Sequence, residues 1–225
     1  SSLEACRGNW SSGELQVRAP YRYSVDNAEI QIKLHAQWII NNLEQARVRL
    51  SSRPPLETGT ALPLLGERLI LNINPVEQMD LFENVRGATL GEAKRFDREL
   101  RVRVKSGDVK DIRRILELWY RNEAKNRLVP RINELAKCIG VVPMRVSIRG
   151  QKTCWGSCTS KGSISLNWRL MMLPLELTEY VLIHELCHLR FLDHSASFWS
   201  LVEQWVPDFH ERRLRLEDAP LNLAF

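Results

Sequence analysis

The chain has 225 residues, 32 Lys and Arg against 27 Asp and Glu, a formal net charge of +5, and 44% hydrophobic residues. That length can bury a substantial core, and the composition is that of an ordinary globular protein, which excludes disordered and disulfide-stapled miniprotein classes. The mild basic excess permits a polyanionic partner, nucleic acid included, without demanding one.

Five cysteines, an odd number, argue for a reducing compartment rather than a disulfide framework. The segment Ser1-Ser2-Leu3-Glu4-Ala5 has neither a basic region nor an apolar core, so no signal peptide is expected there and a cytoplasmic location is. No run approaches the roughly 20 apolar residues that cross a bilayer, so no membrane partner is expected.

In chain order, Leu15-Gln16-Val17 before Pro20 reads as a short strand, and residues 28–50 carry helical spacing through Ile30, Ile32, Leu34, Trp38, Ile39 and Leu43. Ser51-Ser52-Arg53-Pro54-Pro55 is turn-rich, and Arg68 to Pro75 is β-rich. Leu100, Val102 and Val104 alternate with Arg101, Arg103 and Lys105, the pattern of a half-exposed strand. Residues 109–139 predict one long amphipathic helix with a kink expected at Pro130. Met144-Val146-Ile148 and Ser163 to Trp168 are further strands, and Pro174 suits the first turn of the next helix. The pattern predicts an α+β protein, with residues 1–107 as a smaller N-terminal α/β region and residues 108–225 as the domain that carries the chemistry.

That chemistry is concentrated in His184-Glu185-Leu186-Cys187-His188, followed by His194. On a helix, residues four apart lie one turn apart, about 40° around the axis, so His184 and His188 can face one metal ion. Glu185 lies beside them as a candidate general base, and three nitrogen ligands with one open position describe a catalytic zinc site. Leu182, Leu186 and Leu189 fall on the opposite side, which predicts a buried helix. Two histidines and a glutamate in such a helix are costly without a partner, and a dication supplies one.

The third ligand is open at this stage. His194 reaches the pair only if the chain turns after Leu192, and Asp193-His194-Ser195 has the composition of a turn and helix cap. Glu203 on the following helix is the rival ligand, and His210 is a weaker candidate. Cys154 and Cys158 lack the second ligand pair a structural zinc needs, and Cys187 sits about 110° from the ligand strip, so all three read as packing. Arg149, Lys152 and Arg169 are candidates for a basic rim, with solvated strand ends as the plainer reading. Tyr180, one turn before His184, is a candidate oxyanion donor or a core tyrosine.

The run Ile148-Arg149-Gly150-Gln151-Lys152-Thr153-Cys154-Trp155-Gly156-Ser157-Cys158, then Ile164-Ser165-Leu166-Asn167, the histidine motif, His194-Ser195 with Phe198-Trp199, and Pro207-Asp208 occur in that order. This arrangement resembles the YgjP-like metallopeptidases, a bacterial branch of the zincin-like proteins, most strongly from about Val146 to Leu216 and loosely before Val109. The resemblance implies a zincin-like core with a mixed sheet, His184, His188 and His194 as ligands of one Zn²⁺, and Glu185 as base. Nickel or another divalent transition metal suits the same donors. Cys154 departs from the family pattern, where Arg or another long side chain often stands. The leading expectation is a zinc hydrolase cleaving peptide bonds, with Ser163 to Trp168 as an edge strand that aligns an extended peptide. A metal-dependent nucleoside triphosphate pyrophosphohydrolase using the basic rim is the first alternative. A basic nucleic-acid-binding module with a non-catalytic metal site is the second.

Overall fold

The computed structural model describes residues 25–41, 44, 55–75, 91–105 and 107–219. The strand expected at Leu15 to Val17 lies outside them. The chain forms two compact units, Ser1–Pro54 and Pro55–Phe225. In the first, helix α1 spans Val25–Leu34, and residues 36–41 are helical again after a turn at His35.

The second unit holds both sheets. Strands β1 (Ala61–Leu64), β2 (Glu67–Pro75), β3 (Gly91–Phe96) and β4 (Glu99–Val104) form a four-stranded sheet in the order β1-β2-β4-β3. β2 and β4 pair in parallel, and the other two pairs are antiparallel. The expected alternation in β4 holds. Leu100, Val102 and Val104 are buried, and Glu99, Arg101 and Arg103 face outward, where Arg101 Nε donates to Glu99 at 2.8 Å. β1 and β2 are joined through Leu65 and Gly66, both at positive φ, the geometry of a tight hairpin turn. Leu65 is not a residue that favours this region, and its N–H is tied to Met171 O at 2.7 Å.

Helix α2 spans Val109–Ile139 without interruption, Pro130 included. The Asp108 carboxylate caps its start by accepting from Lys110 N at 2.9 Å. Gly140, at φ 75°, ends it in the left-handed conformation that glycine adopts without steric penalty. Its N-terminal half lies on the four-stranded sheet, where Tyr120 Oη donates to Pro63 O at 2.6 Å. Its C-terminal half meets the second layer. There Arg131 pairs with Glu179, and Arg190 Nη2 donates to Ile139 O at 2.8 Å.

Strands β5 (Arg145–Arg149), β6 (Gly156–Cys158) and β7 (Ser163–Asn167) form a three-stranded mixed sheet in the order β5-β7-β6. β5 runs parallel to β7, and β6 antiparallel to it. β7 is therefore central, which corrects the expectation that it is an edge strand. The edge that packs on the histidine helix is β6. A 3₁₀ turn, Trp168–Met172, leads into α3 (Leu175–Cys187), α4 (Ala196–Trp205) and α5 (Phe209–Asp218). α3 packs on α2, β6, β7, α4 and α5 and is buried on most sides, as its sequence predicts. No helix among the described residues is long and apolar enough to cross a membrane.

Candidate metal centre

α3 brings His184 and Glu185 to its last turn, and His188 follows at its C-terminus with helical backbone angles. The chain then turns, and Ser195 opens α4 as its N-cap. That turn swings His194 back over the helix end. His184 Nε2 lies 3.2 Å from His188 Nε2 and 3.2 Å from His194 Nε2. One nitrogen from each of the three rings lies within 4.8 Å of the others. Neither Glu203 nor His210 joins them; both are exposed, on α4 and α5.

The donor set fits a metal. Tetrahedral ligands at the usual 2.0–2.1 Å zinc–nitrogen distance stand about 3.3 Å apart, close to the separations here. His188 Nδ1 lies 3.0 Å from Phe191 O, which as an acceptor favours the tautomer with Nδ1–H donating and leaves the Nε2 lone pair facing inward. Phe198, fully buried, stacks on His188 at 4.5 Å between ring centres, and Trp199 stacks on His194 at 5.4 Å. Two apolar rings thus fix the imidazole planes from the α4 side. Burial lowers the His184 pKa to about 3, with the charges of His188, His194 and Arg213 acting in the same direction. A ring kept neutral in this way is ready to act as a ligand.

Glu185 is buried, with no partner for Oε2 among the described residues. Its side chain lies against Gly156 of β6 so closely that a Cβ at position 156 would stand 2.5 Å from Oε1 and 2.8 Å from Cδ and Cγ. Burial raises its pKa to about 8. Cys154 and Cys158 flank this contact, and their thiols are pushed up by burial and then by the Glu185 charge. The departure from the family pattern at Cys154 therefore faces the buried carboxylate. Cys187 is fully buried, and burial pushes its thiol up to about 12, in keeping with a packing role.

A cleft of about 570 Å³ opens beside the imidazoles, lined by Trp155, Tyr180, Trp199 and, from α5, Arg213 and Glu217. Arg149, Lys152 and Arg169 do not line it. Arg149 and Lys152 are exposed elsewhere, and the Arg169 guanidinium stacks on the Trp168 ring at 4.4 Å. Arg213 and Glu217 were hidden in the sequence because α5 reads as a solvated helix. Only its packing on α3 turns that face toward the cleft. Asn167, fully buried, holds the loop before β6 by donating from Nδ2 to Gln151 O at 2.9 Å and Cys154 O at 3.0 Å.

No curated protein matches this chain. The crystal structure of the metallopeptidase zymogen of Pyrococcus abyssi abylysin is similar to it, at 32% identity over 38% of this chain and 87% of that one, with a TM-score of 0.35. The YgjP-like metallopeptidase domain matches residues 9–219. With a match that spans nearly its whole length, this α+β chain belongs to the YgjP-like metallopeptidases, a family of metal-dependent hydrolases.

Proposed function

We propose that this protein is a zinc-dependent peptidase in which His184, His188 and His194 hold the metal and Glu185 is the general base. The convergence of three imidazole nitrogens, with His184 Nε2 3.2 Å from each of the other two, carries this reading. Zinc, when bound, supplies Lewis acidity that lowers the pKa of water and polarises a carbonyl. The protein's own groups do the rest. Glu185, held between α3 and Gly156, takes the proton of the attacking water and passes it to the leaving amine. Tyr180 lines the cleft, its ring 5.9 Å from that of His184, and its hydroxyl has no hydrogen-bond partner among the described residues. It is the donor placed to meet a developing oxyanion. The outer edge of β6 pairs with no strand among the described residues and offers main-chain groups to an extended peptide.

The nucleotide alternative needs cations clustered at the reacting group, and Arg149, Lys152 and Arg169 are not in the cleft. The guanidinium that does line the cleft, Arg213, is a single cation rather than a cluster.

Elemental analysis after zinc reconstitution tests the ligands. The intact protein is expected to hold one zinc per chain, His194→Ala to lose it, and Glu203→Ala to retain it. Absence of metal from the intact protein, or the reverse order of the two variants, sinks the assignment. Turnover of unstructured peptides, set against nucleoside triphosphates, tests the substrate class.

A further inference from the structure

The cleft contains one feature that neither metal binding nor proton transfer uses. Arg213 lies on α5, in the wall that also carries the edges of His184 and His194. Its Nε donates to Glu217 at 2.9 Å, one turn along the same helix, and its guanidinium lies over the Trp199 ring at 5.3 Å. These two contacts fix the plane of the group. They leave the two terminal nitrogens, the end of the fork that binds carboxylates in bidentate fashion, without a hydrogen-bond partner among the described residues. The side chain is half exposed, so an incoming ligand can reach it. Around it the cleft is lined by Trp155, Trp199, Leu216 and Ala219, a largely apolar and aromatic wall.

We propose that Arg213 is a specificity residue that receives a carboxylate of the substrate, with the aromatic wall taking the apolar side chain beside it. This rests on the peptidase reading of the same cleft. The carboxylate has two sources in a peptide, the C-terminus or an acidic side chain near the scissile bond. Arg213 is the cation among the residues lining this wall, and the Trp199 face holds its guanidinium without neutralising it. Glu217 competes for that charge. Removing Glu217 therefore strengthens carboxylate binding, and removing Arg213 abolishes the preference. If the pair were only a surface tie on α5, the two substitutions would act alike.

Two measurements on the zinc-loaded protein test this. The first is binding of N-acetylphenylalanine and of its amide, followed by tryptophan fluorescence, since Trp155 and Trp199 line the cleft. The intact protein is expected to prefer the acid by about 10- to 100-fold, the range for a charge-assisted pair. Arg213→Gln should bring the preference close to one, and Glu217→Gln should raise it. Equal binding of acid and amide by the intact protein, or an unchanged preference in Arg213→Gln, overturns the proposal.

The second is cleavage of one peptide with a free C-terminus, the same peptide as its amide, and amides carrying Asp at successive positions. The arm that Arg213→Gln slows through KM identifies the source of the carboxylate. Discrimination in binding without cleavage of any peptide leaves carboxylate recognition standing and sinks the peptidase reading. Cleavage that is indifferent to the carboxylate in every arm does the opposite. Binding of triphosphates that depends on Arg213, with no preference for the acid, overturns the proposal.

Discussion

The two layers on either side of α2 are built on opposite terms. In the four-stranded sheet, Leu69, Leu71, Leu100, Val102 and Val104 are at most 1% exposed, and none of the buried polar side chains among the described residues lies there. Those side chains, Asn167, Thr178 and Glu185, all lie in the layer of β7 and α3. Two of them are partnered, Asn167 to the 151–154 loop and Thr178 Oγ1 to Leu170 O at 2.8 Å. Glu185 keeps one oxygen without a partner among the described residues. Leaving a buried polar group unpaired costs about 1–3 kcal/mol, more for a charged one. The contrast teaches that the first layer is organised for stability, and that the second accepts a local penalty to place reactive groups.

The sharpest test of that contrast is Glu185→Gln. It keeps size and shape but removes the basic carboxylate, so on the proposed reading turnover should fall by about 10²- to 10⁴-fold while metal content and Tm are maintained. Parallel zinc analysis and peptide kinetics check it, and full activity in the variant would remove Glu185 from the chemistry. The mirror-image experiment is Leu71→Ala in β2. Deleting this fully buried side chain should cost about 2–5 kcal/mol in urea unfolding, with kcat unchanged below the transition.

Gly156→Ala lies where the contrast is narrowest. The added methyl must displace the Glu185 side chain, so about 1–3 kcal/mol of overpacking is expected, together with a fall in kcat at full zinc occupancy. A variant with lower Tm and intact kcat would show that Gly156 shapes the fold without positioning the carboxylate. Tyr120→Phe removes the hydroxyl that donates to the half-buried Pro63 O and should cost about 0.5–1.5 kcal/mol, the usual net worth of one hydrogen bond, again without a kinetic effect.

The smallest effect is expected at Glu176, which pairs with Arg215 at 2.8 Å between α3 and α5. The Arg215 hydrogen bond, assisted by the backbone, holds its carboxyl below the ordinary glutamate value of 4.5. A lowered folded-state pKa means the pair stabilises above that pH, and the contribution is lost as pH falls through the lower folded value. Both side chains are 43% exposed, so Arg215→Ala should cost under about 1 kcal/mol at neutral pH. The difference should vanish in acid unfolding curves.

Local geometry explains which parts of this were legible in the sequence. The 184/188 pairing follows from helix periodicity alone, and α2 from its long apolar stripe. Both depend on residues close in sequence. His194 required only a turn of the right composition. Strand order did not follow, because β7 becomes central through pairing with β5 and β6, a non-local event that no alternation pattern encodes. β1 was unread because Pro63 interrupts a short strand, which suits its place at the sheet edge. β3 was unread because Glu92, Lys94 and Arg95 leave little apolar pattern. The basic rim failed for a related reason. Charge in sequence does not say which wall of a fold will carry it, and the cation in the cleft comes from α5, about 60 residues after Arg149.

α2 also governs how the second unit comes apart. Its N-terminal half is part of the core of the four-stranded sheet, and its C-terminal half is pinned to the layer that carries the three histidines by Arg131 and Arg190. Neither layer can unfold alone without stripping one face of the same 31-residue rod. Denaturation should therefore be a single cooperative transition, and the amide hydrogens in the middle of the helix, around Ala124 and Leu128, should exchange only through global opening. On that account, a metal bound by the histidines at one end would be felt as protection at the other.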